Sequence, residues 1–283
     1  MSEPSTTPRA RVSPATASRR RVLVLLEKEL RELFTSAMLL ASVVLVPLLF
    51  GAVSLTIAWA TGAVDNGTNG AQDLEELRQI MGDRIAHVGS LREGLQIYLG
   101  EMGLLVILLM PALVPPILAA QTLVREKQAR SLETLLVTPV RTWEIVLAKV
   151  VFCVSLGVVP QWIVAAAYYG IVLSRCEAVA AAALTAPGWL VMVSIGSPLV
   201  AILGVGLGVA VSSRAKDAQT AQQVAGMVVL PIVGLLTMQS LGITSLDGVG
   251  ALLFVGVVAI ADTVVLALAV SLFERESVVT RWK

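Results

Sequence analysis

The sequence predicts an all-α, polytopic membrane protein: six transmembrane helices preceded by an N-terminal elbow helix in the membrane interface. Three observations carry this. Of 283 residues, 56% are apolar and 14% charged, and the mean hydropathy is +0.83, too apolar for a soluble domain of this length. The apolar residues gather into six stretches, 36–60, 99–124, 143–173, 189–212, 224–241 and 248–273, each near or above the ~20 residues that cross a ~30 Å hydrocarbon layer. The basic residues segregate: seventeen fall in segments that share one side with the termini, and four (Arg78, Arg84, Arg92 and Arg175) on the other. By the positive-inside rule both termini are cytoplasmic, in a multi-pass protein of the plasma or inner membrane.

Composition excludes several function classes. The net charge of +1 comes with no basic patch interleaved with aromatics, so no nucleic-acid partner is expected. Cys153 and Cys176 make no metal or redox pattern. On one helix they would lie ~34 Å apart at about 1.5 Å per residue, too far to bridge. A single histidine, His87, excludes a multi-histidine metal site. No lysine follows a glycine, so there is no G-x-x-x-x-G-K-[ST] phosphate loop; H-E-x-x-H and G-x-S-x-G are absent too. The chain is expected to be no enzyme and to bind no cofactor itself. If ATP powers it, another polypeptide hydrolyses the nucleotide.

Residues 1–21 are rich in Ser, Thr, Pro, Ala and Arg with Glu3 the single acid, and read as a disordered basic cytoplasmic tail. A transit peptide or a twin-arginine signal at Arg19-Arg20-Arg21 is the weaker reading, because Glu27, Lys28 and Glu29 interrupt the next apolar run too early. Residues 22–35 are amphipathic: Val22, Leu25, Leu26, Leu30, Leu33 and Phe34 share a face, opposite i,i+4 pairs Glu27/Arg31 and Lys28/Glu32. That pattern suits a helix lying in the membrane interface.

The transmembrane domain spans 36–273. Its outer loop, 61–98, opens on Asp65-Asn66-Gly67 and Asn69-Gly70, a turn-rich entry. It continues into Leu74, Leu77, Met81, Ile85, Val88 and Leu95, spaced for an amphipathic helix that lies on the outer leaflet or caps a partner subunit. Pro47, Pro111, Pro115, Pro116, Pro160, Pro198 and Pro231 fall inside the spans, where each removes a backbone donor. The run Gly204-Val205-Gly206-Leu207-Gly208 suits close helix packing. Residues 274–283 form a cytoplasmic C-terminal tail.

The densest charged cluster between apolar segments is 125–149. Within its loop, 125–142, residues 126–137 read as a helix: Ser131, Leu132, Leu135 and Leu136 recur on one face, and Arg130 is spaced to pair with Glu126 and Glu133. Thr138-Pro139 ends it. Such a helix suits contact with a soluble partner or the membrane surface, although periodicity alone equally suits a solvated hairpin loop.

The run from Glu126 through Ser131-Leu132-Glu133 and Leu135-Leu136 to Thr138-Pro139 resembles the E-K-E-R-x-[ST]-L-E-x-L-L-x-T-P signature of permease subunits of type-2 ATP-binding-cassette exporters. The closing Phe273-Glu274-Arg275-Glu276-Ser277-Val278-Val279-Thr280-Arg281-Trp282 is similar to the F-x-R-E-x-[IV]-L-T-R-W tail of the same family. Gln128-Ala129 replaces a charged pair, and Arg130 stands where many members have Gly. In layout the resemblance covers 22–283. It implies a permease subunit that forms the translocation pathway of an ATP-driven exporter, as a homodimer or beside a paralogous permease. It also implies two ATPase subunits that carry ATP and Mg. The ATPase-coupling contact would then be Glu126, Lys127, Arg130, Leu132, Glu133, Leu135 and Leu136, with charge-assisted contacts from Glu126, Arg130 and Glu133 and the leucines filling a groove.

Asp262 reads as the one acid deep in an apolar span. An unpaired carboxylate there costs ~2.5–3.5 kcal/mol on insertion scales, so a partner or a wet cavity is expected. Thr263, Gln161 and Gln239 are the candidate partners. Asp262, Gln161 and Gln121 make up the candidate pathway or ion site, with structural interhelical hydrogen bonds as the other reading. The competing function is a self-contained ion-coupled secondary transporter using Asp262, a class that often carries inverted repeats; no convincing repeat is present. An intramembrane enzyme or assembly anchor is a third reading, but no acid–acid or Ser–His constellation supports the enzyme.

Overall fold

Residues 14–64, 70–85, 88–128, 142–214 and 248–280, with positions 223, 230, 233 and 234, are described by the computed structural model. Among them the regular elements are all helices, with no strand. The chain opens with α1 (Pro14–Thr35), which starts inside the arm assigned to residues 1–21. The i,i+4 pairs expected on it form, Arg31 with Glu27 at 2.6 Å and Lys28 with Glu32 at 3.1 Å.

A single residue separates α1 from α2 (Ala37–Gly62). Ser36 takes an extended conformation and its hydroxyl caps the new helix by accepting from the Leu39 amide, the arrangement serine favours at a helix start. Beyond α2 comes α3 (Gly70–Met81). Gly82, at φ +60°, turns the chain into a short 3₁₀ turn, Gly82–Ile85. The apolar face has the expected spacing, but Leu74, Leu77, Met81, Ile85 and Val88 are buried within the chain itself, with Leu91 and Ile97 of the next helix and Ala180, rather than turned to the outer leaflet or a partner subunit.

That next helix, α4 (Leu91–Gln128), carries Pro111, Pro115 and Pro116 without ending. It is the central rod: 67% of its most apolar window is buried, against 17% for α2 and for the last helix. The 34 residues of α5 (Thr142–Arg175) reach ~50 Å at about 1.5 Å per residue, longer than the ~30 Å layer. Two short helices, α6 (Ala178–Leu184) and α7 (Pro187–Val191), lead into a π turn, Met192–Gly196, and then α8 (Ser197–Arg214). The helix widens just before Pro198, which has no N–H to offer the Ser194 carbonyl. The described chain ends in α9 (Gly248–Thr280).

Five stretches are long and apolar enough to cross a membrane among the described residues: Leu39–Gly62, Leu91–Leu123, Trp143–Arg175, Ala178–Ala210 and Gly248–Ser271. They correspond to the first, second, third, fourth and sixth expected spans. The fifth, 224–241, lies outside the described residues except for positions 230, 233 and 234. Leu45, Leu48 and Leu49 on α2, and Leu253, Val257 and Ile260 on α9, are exposed, the distribution of helices that meet lipid or another subunit rather than their own core.

The core lies around α4. At the end of the bundle that carries α1, Leu33 and Leu39 pack with Leu118, Leu123, Val146, Val150 and Phe152. At the end that carries α3, Leu104, Ile107, Tyr168, Leu184 and Trp189 pack together, and the Tyr168 hydroxyl donates to the Gly100 carbonyl at 2.5 Å.

Candidate functional site

α4 runs unbroken through Arg125 to Gln128. Glu126 and Lys127 therefore belong to the last turn of a spanning helix rather than to the start of a separate one. Arg130, Leu132, Glu133, Leu135 and Leu136 lie outside the described residues, as do all of residues 129–141. What the structure does describe is the frame on either side of that segment.

The frame is built from charge. On α5, Glu144 and Lys149 are 1% and 2% exposed, and Glu29 of α1 is 5% exposed. Lys149 Nζ donates to Glu29 Oε1 at 2.8 Å, and Arg21 of α1 reaches Glu144 at 3.6 Å. A buried carboxylate or ammonium without a counter-charge is costly, so these positions hold one another in place. At the end of α4, the Arg125 guanidinium donates to the hydroxyl of Ser36, the residue that caps α2. Both flanks of residues 129–141 are thus tied to α1 or to its junction with α2. In the sequence Glu29 reads only as an interruption of an apolar run, and Lys149 only as the end of the charged cluster 125–149. The available signal was Glu29 and Lys149, each flanked by leucine or valine one turn away.

The three polar positions expected to line a pathway are not brought together by hydrogen bonds among the described residues. Gln161, fully buried on α5, accepts from Ser197 at 3.0 Å and donates to the Val193 carbonyl at 3.5 Å. The indole of Trp162 donates to the same carbonyl at 3.1 Å. The Ser197 hydroxyl, at 2.6 Å, joins Trp162 and Gln161 in satisfying the Val193 carbonyl that the π turn leaves exposed. Gln121 is buried on α4 with its Oε1 lacking a hydrogen-bond partner among the described residues.

Asp262 is 5% exposed, and neither carboxyl oxygen has a hydrogen-bond partner among the described residues. Thr263 donates to the Ile260 carbonyl instead, and Gln161 is committed to the π turn; Gln239 lies outside the described residues. One turn before Asp262, Val258 packs with Ala112 and Val200; one turn after it, Leu266 packs on the cluster containing Leu118 and Val205. The carboxyl thus sits on the buried stripe of α9, toward α4 and α8. Nor is Asp262 the sole buried acid of the spans: Glu101 on α4 is 7% exposed. It lies three residues into the expected 99–124 stretch, but α4 extends ten residues before it and the α3 segment covers that end.

At the α3 end, Arg92 meets Glu177 at 3.3 Å, and Gln96 accepts from the Glu177 amide at 2.9 Å. The Arg175 guanidinium lies 3.6 Å from the centre of the Trp59 ring. These contacts join α4, α5, α6 and α2. Burial pushes the nearby Cys176 thiol up, an effect Arg92 partly offsets.

Comparison with curated proteins returns no match. A family model described as "ABC-2 family transporter protein" matches residues 23–253, a span that takes in α1 from its third turn, the 125–142 loop and the first turn of α9. With most of its length matched, the chain belongs to the ABC-2 family of transporter proteins.

Proposed function

We propose that the chain is the membrane-spanning subunit of an ATP-driven exporter, working with separate ATP-binding subunits that dock on the loop 125–142. The observation that carries this is the family match over residues 23–253, which includes that loop. In this reading the permease has six spans and cytoplasmic termini, and α1 is the elbow helix, with Leu23, Leu30 and Phe34 facing the membrane interface. Their exposure supports it. Two permease copies, or this chain and a paralogue, enclose the route, and two ATPase subunits supply ATP and Mg. ATPase closure pushes on the loop and shifts the near halves of α4 and α5, an alternating-access cycle. Family membership favours this over a self-contained ion-coupled carrier using Asp262.

The contact is tested by co-purification. Glu126→Ala combined with Glu133→Ala removes two carboxylates from the proposed docking segment, so the tagged permease is expected to lose its ATP-binding subunits on isolation from native membranes. Undiminished co-purification would overturn the assignment of that loop.

A further inference from the structure

Two charge pairs join α1 to the first turns of α5, and their order matters. Going up both helices, Arg21 meets Glu144 and then Glu29 meets Lys149. α1 contributes the base to the first pair and the acid to the second. Sliding α1 along α5 by one pair would set Glu29 beside Glu144, or Arg21 beside Lys149, at positions where Glu144 and Lys149 are almost wholly buried. Like charges in such surroundings are strongly disfavoured, so the contact has one register. Leu33, buried in the cluster that includes Val146, Val150 and Phe152, extends the same contact with apolar packing. Arg125 on Ser36 ties the other flank of residues 129–141 to the α1–α2 junction.

We propose that Glu29 and Lys149 are positioning residues for energy coupling: their buried pair fixes α1 to α5, so that α1 and the flanks of the 125–142 loop move as one body. The inference rests on the reading of that loop as the ATPase dock. A push on the loop then reaches α2 through α1 and Ser36 as well as through α4 and α5. A loose α1 would leave the ATPase attached but its stroke poorly transmitted.

The test uses the full permease–ATPase complex in nanodiscs. Nitroxides on Leu23→Cys and Leu147→Cys, both exposed positions on α1 and α5, report their separation by pulsed electron resonance without nucleotide and after ATP–vanadate trapping. In an otherwise native complex the distance distribution should stay put on trapping. A shift of more than about one helical residue step, ~1.5 Å, overturns the proposal. Glu29→Lys or Lys149→Glu alone should broaden that distribution and cut permease-dependent ATP hydrolysis by at least about tenfold, since breaking a buried pair costs more than a factor of ten represents, while the ATPase subunits still co-purify. The exchange E29K/K149E should restore hydrolysis to within about twofold, because the pair is re-formed in reverse. If the single reversals do not insert, Glu29→Gln, which is isosteric and uncharged, takes their place. An exchange variant no better than the singles, or an E29Q complex with full coupling, refutes the assignment. Loss of the ATPase from the unsubstituted complex would instead refute the functional reading beneath it.

Discussion

Gly204 and Gly208, one turn apart on α8, fit against Pro116 of α4, and replacing either by alanine should force the two helices apart. A Cβ on Gly208 would lie 2.9 Å from the Pro116 carbonyl oxygen, and one on Gly204 would lie 3.1 Å from the Pro116 ring carbons. Ordinary contact begins near 3.4 Å, so Gly208→Ala needs about half an ångström of relief. The obstructing atoms are backbone and a closed ring, so no side-chain rotation supplies that relief. Overpacking of this kind costs ~1–3 kcal/mol, against the ~1 kcal/mol that alanine gains over glycine in a helix. Gly256 on α9 has nothing within 4 Å of its would-be Cβ, so Gly256→Ala keeps the propensity gain alone. Thermal unfolding of the two variants in detergent should therefore differ by ~1–3 kcal/mol, roughly 2–10 °C in midpoint for a chain of this size. Gly206→Ala should fall between them, since its obstacle is the side chain of Val265, a methyl at 2.7 Å. Equal midpoints for Gly208→Ala and Gly256→Ala would refute the close approach of α4 and α8.

Asp262→Leu should raise thermal stability, because it removes two buried oxygens that have no hydrogen bond among the described residues, a gain of ~1–3 kcal/mol; a fall in the midpoint would mean that the carboxyl has a partner elsewhere in the protein. Gln161→Leu should lower stability by only about 1 kcal/mol, because the Ser197 hydroxyl and the Val193 carbonyl keep each other at 2.6 Å when Gln161 is gone, and unchanged melting would separate Gln161 from the π turn. Cys176 should react with maleimide more slowly at neutral pH than an ordinary thiol, and its rate should climb only at higher pH: burial pushes its pKa up, and the thiolate that it disfavours is the nucleophile. Mass spectrometry of labelled protein over a pH series checks this, and a rate profile centred on the ordinary thiol range would contradict it.

Much of the architecture is written in local pattern. Apolar runs of spanning length, the acid–base pairs on α1 and the helical spacing of Leu74, Leu77 and Met81 each depend on residues within a few turns of one another, and each appears in the structure as expected. The family, too, was readable from Glu126–Pro139 and the closing Phe273–Trp282, and the match over 23–253 agrees. Other features escaped that reading because they depend on pairings far apart in the chain. Glu29 and Lys149 are separated by 120 positions, and neither looks unusual until α1 lies across α5. Gln161 was legible as a polar residue at membrane depth. Its job was not, because the π turn that it serves arises on another helix, just ahead of Pro198. Hydropathy likewise cannot rank equally greasy rods. Sequence by itself determined that the chain is a set of membrane-length helices with one charged loop of family type. Tertiary packing alone decided that α4 is the central rod, that α1 is bolted to α5 by opposed charges, and that Asp262 faces inward without a hydrogen-bond partner among the described residues. The physical reason is range: helix formation and hydropathy are settled over a few turns, whereas burial and charge pairing are settled by whichever helices meet.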